Sequence, residues 1–203
     1  MGMEISKTVG SVGVRNRATL VGNICSGVPC MDSGPLLRVY NGEVATISKN
    51  GERNIPVEDW FISPKQTALK PGEFVTSVSI PFPKEKHAGC YVKLGRYSGE
   101  DLAQVSVAIL VLENDNFRIS FGAVAPVPIR AGKIENLLNG NALDDSIIEK
   151  AVKLIHTEIK PITDIRASKE YRMHMAKVMF ERGIKAAVER LYGKGPEYGT
   201  SLI

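Results

Sequence analysis

The chain has 203 residues, 43% hydrophobic and 24% charged, enough for one or two domains with a buried core and too apolar for a disordered segment. Its formal net charge of +4 comes from basic residues scattered among acids, which argues against a nucleic-acid protein built on a basic tract. The longest apolar run, at 105–112, falls far short of the ~20 residues that cross a bilayer, and with no leader pattern at residues 1–5 a cytoplasmic chain is expected.

In chain order, residues 5–12 read as the tail of an element whose beginning is absent. Residues 14–37 form a loop that packs Thr19, Gly22, Asn23 and Ser26 near two arginines, with Gly27 and Gly34 and with Pro29 and Pro35 following. Glycine lets a backbone approach a ligand closely, and short polar side chains with free N–H groups can seat an anion. Asp32 adds an acceptor of the kind that suits a ribose or ribityl hydroxyl. The same composition also fits a plain Gly/Pro loop between two buried elements.

Alternation and β-branching predict a strand at 43–48, and Asn50-Gly51 turns it into a partner at 52–57. A short helical turn at 58–62 puts Trp60 and Phe61 in the core, and a further strand at 74–80 ends at Pro81 and Pro83. Residues 81–89 carry prolines and charges without periodicity and read as a linker, with His87 solvated. Strands follow at 91–96, 104–112 and 117–124, the last two paired through the polar turn 114–116. Helices are expected at 131–138 with Gly140 as the stop, at 147–159 behind a Ser146-x-x-Glu149 capping box, and at 168–191 with Met175 and Met179 in the core. The final ten residues are expected to be a loose tail. Three cysteines (Cys25, Cys30, Cys90) and three dispersed histidines lack metal-ligand spacing, so no metal site is expected in this chain, and no nucleophile or acid–base pair stands out. The fold class is α+β, in two modules joined near residues 81–89.

Val14-Arg15-Asn16, then Thr19-Leu20-Val21-Gly22-Asn23, then Pro29, Asp32, Pro35 and Leu37 resemble the second glycine motif of the FAD-binding, or medium, subunit of molybdenum hydroxylases of the xanthine and carbon monoxide dehydrogenase type. Val21 departs from that motif, which has glycine there. Tyr91 to Arg96, Asp101-Leu102-Ala103, Gly122 to Pro126, Arg130-Ala131, Asp164-Ile165-Arg166 and Glu170-Tyr171-Arg172 resemble successive motifs of the same family's C-terminal domain, so the likeness covers nearly all of residues 9–190. It implies the C-terminal half of a two-subdomain FAD-binding domain (1–86), then a small α+β domain of antiparallel strands and three helices (87–192), and a tail (193–203). The family's first glycine motif, of the A-G-G-T-D kind, has no counterpart here, so half of an FAD site is expected.

The resemblance implies electron transfer from the [2Fe–2S] clusters of a small subunit through FAD to an acceptor, in a complex whose large subunit carries molybdopterin. It places Thr19, Leu20, Val21, Gly22 and Asn23 at the pyrophosphate and Ser26 and Asp32 at cofactor hydroxyls or phosphate oxygens. Leu69 would lie against the flavin ring. Lys93 would lie at its polar edge, so that Lys93→Met lowers the flavin potential and leaves stability nearly unchanged. Residues 5, 9, 12 and 14 are expected to be exposed or covered by another chain. Two alternatives are a docking subunit that binds no flavin and the product of a split gene whose partner chain carries the missing subdomain.

Overall fold

The computed structural model describes residues 1–97 and 101–203. Four short helices come first: α1 (Gly2–Thr8), α2 (Val12–Arg15), α3 (Leu20–Cys25) and α4 (Ser33–Val39). β1 (Glu43–Ser48) turns at Gly51 into β2 (Gly51–Pro56), followed by α5 (Val57–Trp60), the small pair β3 (Phe61–Ser63) and β4 (Gln66–Thr67), and β5 (Phe74–Ser79). β1 lies between β2 and β5, antiparallel to both. The second half holds β6 (His87–Leu94), β7 (Val105–Leu112), β8 (Asn116–Gly122) and β9 (Ile129–Arg130), an antiparallel sheet in sequence order. Three helices complete it, α6 (Gly132–Leu138), α7 (Asp145–Glu158) and α8 (Lys169–Leu191).

β7 is buried at every residue. Its alternate side chains serve two different cores, as period 2 requires. Val105, Val107, Ile109 and Val111 pack with Phe117, Ile119 and Phe121 of β8 in the core beneath α6, α7 and α8. Ala108, Leu110 and Leu112 face the other way, into a cluster with Ile5 of α1, Leu36 and Val39 of α4, and Tyr91 of β6. Helices of the first half therefore cover one face of the second half's sheet. Residues 87–94, whose first three were expected to be linker, are a strand, with Ala88 and Gly89 buried.

α4 presses close to that sheet because two glycines allow it. A Cβ on Gly34 would stand 2.4 Å from Pro128 Cγ, and one on Gly122 would stand 2.8 Å from Pro35 Cγ. A third core joins Ile24, Met31 and Leu37 to Val44, Ile55, Trp60 and Phe61. Trp60 Nε1 donates to the Ile24 carbonyl at 3.2 Å, tying α3 to the strands behind it.

Several sequence expectations change. Residues 2–8 make a helix with Ile5 buried at 4% exposure, whereas Val12 (60%) and Val14 (49%) are exposed. Residues 35–39 are helical, since Pro35 sits in the first turn where its missing N–H costs nothing. The cap of α7 is Asp144, whose carboxylate accepts from Ile147 N at 2.7 Å, so Ser146 lies inside the helix. His87 is half-buried, with its ring edge-on to Tyr40 at 6.3 Å. The tail folds back: Arg190 donates to the carbonyls of Pro196 and Glu197 and stacks on Tyr198, and Gly199 N donates to Glu4 Oε1 at 3.3 Å.

Candidate functional site

The glycine-rich stretch begins with a clamp. Arg15 Nη1 donates to the carbonyls of Val9 (3.0 Å) and Gly10 (2.7 Å), which fixes the turn from α1 into α2. Thr19 then caps α3, its hydroxyl accepting from Gly22 N at 2.9 Å. α3 ends at Ser26, whose hydroxyl donates to the Asn23 carbonyl at 2.6 Å, and Gly27 (φ +58°) turns the chain against Lys65. Asp32 and Ser33 start α4.

Asn23 is held from behind. Its Oδ1 accepts from Ser33 N at 3.2 Å and from Ser33 Oγ at 2.5 Å. The main-chain N–H of Ser33, which can only donate, identifies this atom as the carboxamide oxygen, and the Nδ2 group has no protein acceptor among the described residues. Asn23 and Ser33, with Arg15, Thr19, Leu20 and Leu36, line a cavity of about 300 Å³ whose floor is one face of α1.

The opposite face of α1 borders a second cavity, about 460 Å³, lined by Lys7, Thr8, Lys93, Tyr97, Asp101 and the returning tail. Between the two lies a buried polar cluster. Lys93 Nζ is 3.0 Å from the Asp32 carboxylate and 2.7 Å from the Thr8 carbonyl, and Tyr91 donates its hydroxyl to Asp32 Oδ1 at 2.8 Å. Both partners of the ion pair are 7% exposed at the side chain. Burial pushes the Asp32 carboxyl above its ordinary range, against the pull of Lys93 and the Tyr91 hydroxyl. Burial also raises the Tyr91 phenol well above its usual value, with the Asp32 charge adding to the shift.

The nine residues singled out in the sequence therefore divide. Thr19, Leu20 and Asn23 share the smaller cavity. Val21 is half-buried and Gly22 exposed beside it, and neither lines it. A Cβ on Gly22 would crowd only the Thr19 hydroxyl, at 3.0 Å, so no packing against a distant part of the chain calls for glycine there. Ser26 is exposed at the far end of α3. Asp32 is engaged with Tyr91 and Lys93 rather than open to a ligand, and Lys93 borders the other cavity. Leu69 packs against the third core and lines neither cavity. Arg15 and Ser33 line the smaller cavity and were not singled out. The Val-Arg-Asn motif carried a signal for Arg15, whereas nothing marked Ser33 until the fold brought it to Asn23. Among the described residues there is no cluster of side chains suited to a metal ion, and no helix is long and apolar enough to cross a membrane.

Comparison with known proteins gives this geometry its context. Residues 3–83 match the family model of the FAD binding domain in molybdopterin dehydrogenase, and residues 90–187 match that of the CO dehydrogenase flavoprotein C-terminal domain. The putative xanthine dehydrogenase FAD-binding subunit of Escherichia coli (strain K12) is 30% identical over 186 residues, covering 89% of this chain and 64% of that protein. The carbon monoxide dehydrogenase medium chain of Afipia carboxidovorans is 30% identical over 190 residues, covering 92% and 66%. Among solved structures, reconstituted CO dehydrogenase from Oligotropha carboxidovorans superposes with a TM-score of 0.87 at 30% identity, over 92% of this chain and 66% of that one. The chain thus spans 64–66% of the length of these relatives. With two family models matched in order along one chain and the fold shared, the chain belongs to the family of FAD-binding medium subunits of molybdopterin-dependent dehydrogenases of the xanthine and carbon monoxide dehydrogenase type.

Proposed function

We propose that this chain is an FAD-binding electron-transfer subunit of a cytoplasmic molybdenum hydroxylase complex and is not catalytic alone. Its partners in that reading are a small subunit with [2Fe–2S] clusters and a large subunit with molybdopterin. The observation that carries the reading is the placement of Thr19, Leu20 and Asn23, all from the family's glycine motif, on one cavity together with the Arg15 cation.

The residues present fit one portion of the cofactor. Asn23 offers an amide N–H₂ with no protein acceptor among the described residues and Arg15 a positive charge, which suits the two negative charges of a pyrophosphate. At about 300 Å³ the cavity lies at the lower end of the range for small-molecule sites and is small for a whole dinucleotide. The other part of the seat is proposed to come from a segment or a chain beyond these residues, carrying the A-G-G-T-D-type motif. Leu20, which lines the cavity, and the exposed Val12 and Val14 that precede it in sequence would meet it. When bound, FAD supplies a carrier that accepts electrons from iron–sulfur clusters and passes them to an acceptor. Toward it, Asn23 and Arg15 bind and orient the phosphates, and the Asp32–Lys93 pair holds the wall that separates the two cavities.

We divide the chain for this role into residues 1–86 on the cofactor side, 87–192 as the C-terminal domain and 193–203 as the tail. The test is the flavin content of the complex purified with its partner subunits, read by absorbance. Stoichiometric FAD is expected. An assembled, colourless complex would replace this reading with a docking subunit that carries no flavin.

A further inference from the structure

We infer that Ser33 is a positioning residue that sets the polarity of the seat: it fixes the Asn23 carboxamide with its oxygen inward and its N–H₂ toward the ligand. The inference rests on the proposed FAD site and adds to it the residue that makes the seat a donor. A carboxamide left free can turn over and offer either end. Here the turn is opposed, because the Ser33 main-chain N–H can only donate and reaches Oδ1, and the Ser33 hydroxyl adds a second donor to the same atom. A flipped amide would set N–H₂ against that main-chain N–H and lose its bond.

Ser33 can do this because it does not move. It is 4% exposed, at the first position of α4. On one side Asp32 is anchored by Tyr91 and Lys93 of β6. On the other, Gly34 lies so close to Pro128 that a Cβ would stand 2.4 Å from its ring. The start of α4 is thus held at two points of the second half, one on β6 and one in the loop before β9, and Asn23 inherits that rigidity. The cavity then presents a fixed amide donor and the Arg15 cation, and among the described residues no carboxylate lines it. That selects an anionic phosphate oxygen over a neutral hydroxyl or a cation.

Asn23→Asp separates this arrangement from plain packing. The carboxylate keeps an acceptor for both Ser33 donors, so the lock and the fold should survive, while the atom facing the cavity changes from a donor to an anion. In the 203-residue chain, labelled with ¹⁵N, inorganic pyrophosphate, FAD and riboflavin are titrated as separate probes. Pyrophosphate is expected to shift the Asn23 side-chain amide signals in the wild type. Asn23→Asp should weaken pyrophosphate and FAD about tenfold or more, the loss of one hydrogen bond to a charged partner, and leave riboflavin, which has no phosphate, unchanged. Ser33→Ala should shift and broaden the Asn23 amide signals before any ligand is added, and weaken FAD in the same direction. If Asn23→Asp binds pyrophosphate and FAD as the wild type does, or if Ser33→Ala leaves the Asn23 signals in place, the inference is overturned. If the isolated wild-type chain takes up no FAD, as expected of half a seat, the FAD reading is still judged on the assembled complex, and the Ser33 lock by pyrophosphate and the ligand-free amide signals.

Discussion

Lys93→Met tests the buried cluster at the centre of the molecule. Lys93 and Asp32 are each 7% exposed and stand 3.0 Å apart, with the Lys93 ammonium also donating to the Thr8 carbonyl. Removing one partner of a buried ion pair costs about 3–5 kcal/mol, because the other charge is left without compensation. For a domain of this size each kcal/mol moves the midpoint by about 2–4 °C, so a fall of roughly 6–20 °C in Tm is expected. The loss should depend on pH. The folded-state pKa of Asp32 lies above its ordinary 3.8, and without Lys93 it rises further. Below about 3.8 the carboxyl is protonated both folded and unfolded, so the lone group carries no charge penalty. The penalty grows as pH rises through the raised folded value and is complete above it. The deficit of Lys93→Met should therefore be smallest near about pH 4 and largest near about pH 8, measured by urea unfolding across that range. Adding Asp32→Asn should return most of the stability, since the Tyr91 hydroxyl can donate to the new amide oxygen. A deficit below about 1 kcal/mol, the size of an ordinary exposed pair, or one flat with pH, would refute the argument. The sequence expectation that this substitution spares stability is replaced: the ammonium, and not only the stem, is part of the packing.

Three further outcomes follow from single contacts. Gly34→Ala forces a Cβ to 2.4 Å from Pro128 Cγ and should cost about 1–3 kcal/mol in chemical denaturation. Trp60→Phe removes the indole donor to the Ile24 carbonyl, which keeps its bond from Gly27 N at 3.3 Å, so the expected loss is that of one neutral hydrogen bond, about 0.5–1.5 kcal/mol in the same assay. Glu73 is held down at about 2 from an ordinary 4.5 by a two-pronged hydrogen bond from Arg53 and by the Lys70 N–H. Its contribution is present above about pH 4.5 and is lost as pH falls toward about 2; Arg53→Met should flatten that part of the acid-unfolding curve.

The family of this chain was legible in the order of its motifs. Thr19, Leu20 and Asn23 of the glycine motif share one cavity, although their composition alone also fits a plain Gly/Pro loop. The run 105–112 was visible as apolar, and the hairpin at Asn50-Gly51 followed from local turn chemistry. Local rules also erred where tertiary contacts compete with them. Pro35 read as part of a loop, whereas it sits in the first turn of a packed helix. Asp144 took the cap that the Ser146 pattern claimed, and the tail, polar and rich in glycine, was drawn back by Arg190 on α8.

Tertiary structure alone decided which polar groups are free. Asp32, Lys93 and Asn23 all carry functional groups that could meet a cofactor, and nothing in their spacing says which of them the protein uses itself. The fold brings β6 against α1 and against Asp32 at the start of α4, and that contact consumes Asp32 and Lys93 in a buried pair 61 residues apart in sequence. The same contact holds Ser33 behind Asn23, a cavity-lining residue whose amide nitrogen has no protein acceptor among the described residues. Residue types are local and can be read one by one; whether a donor has a partner depends on chain segments brought together from a distance, and only the packed structure contains that information.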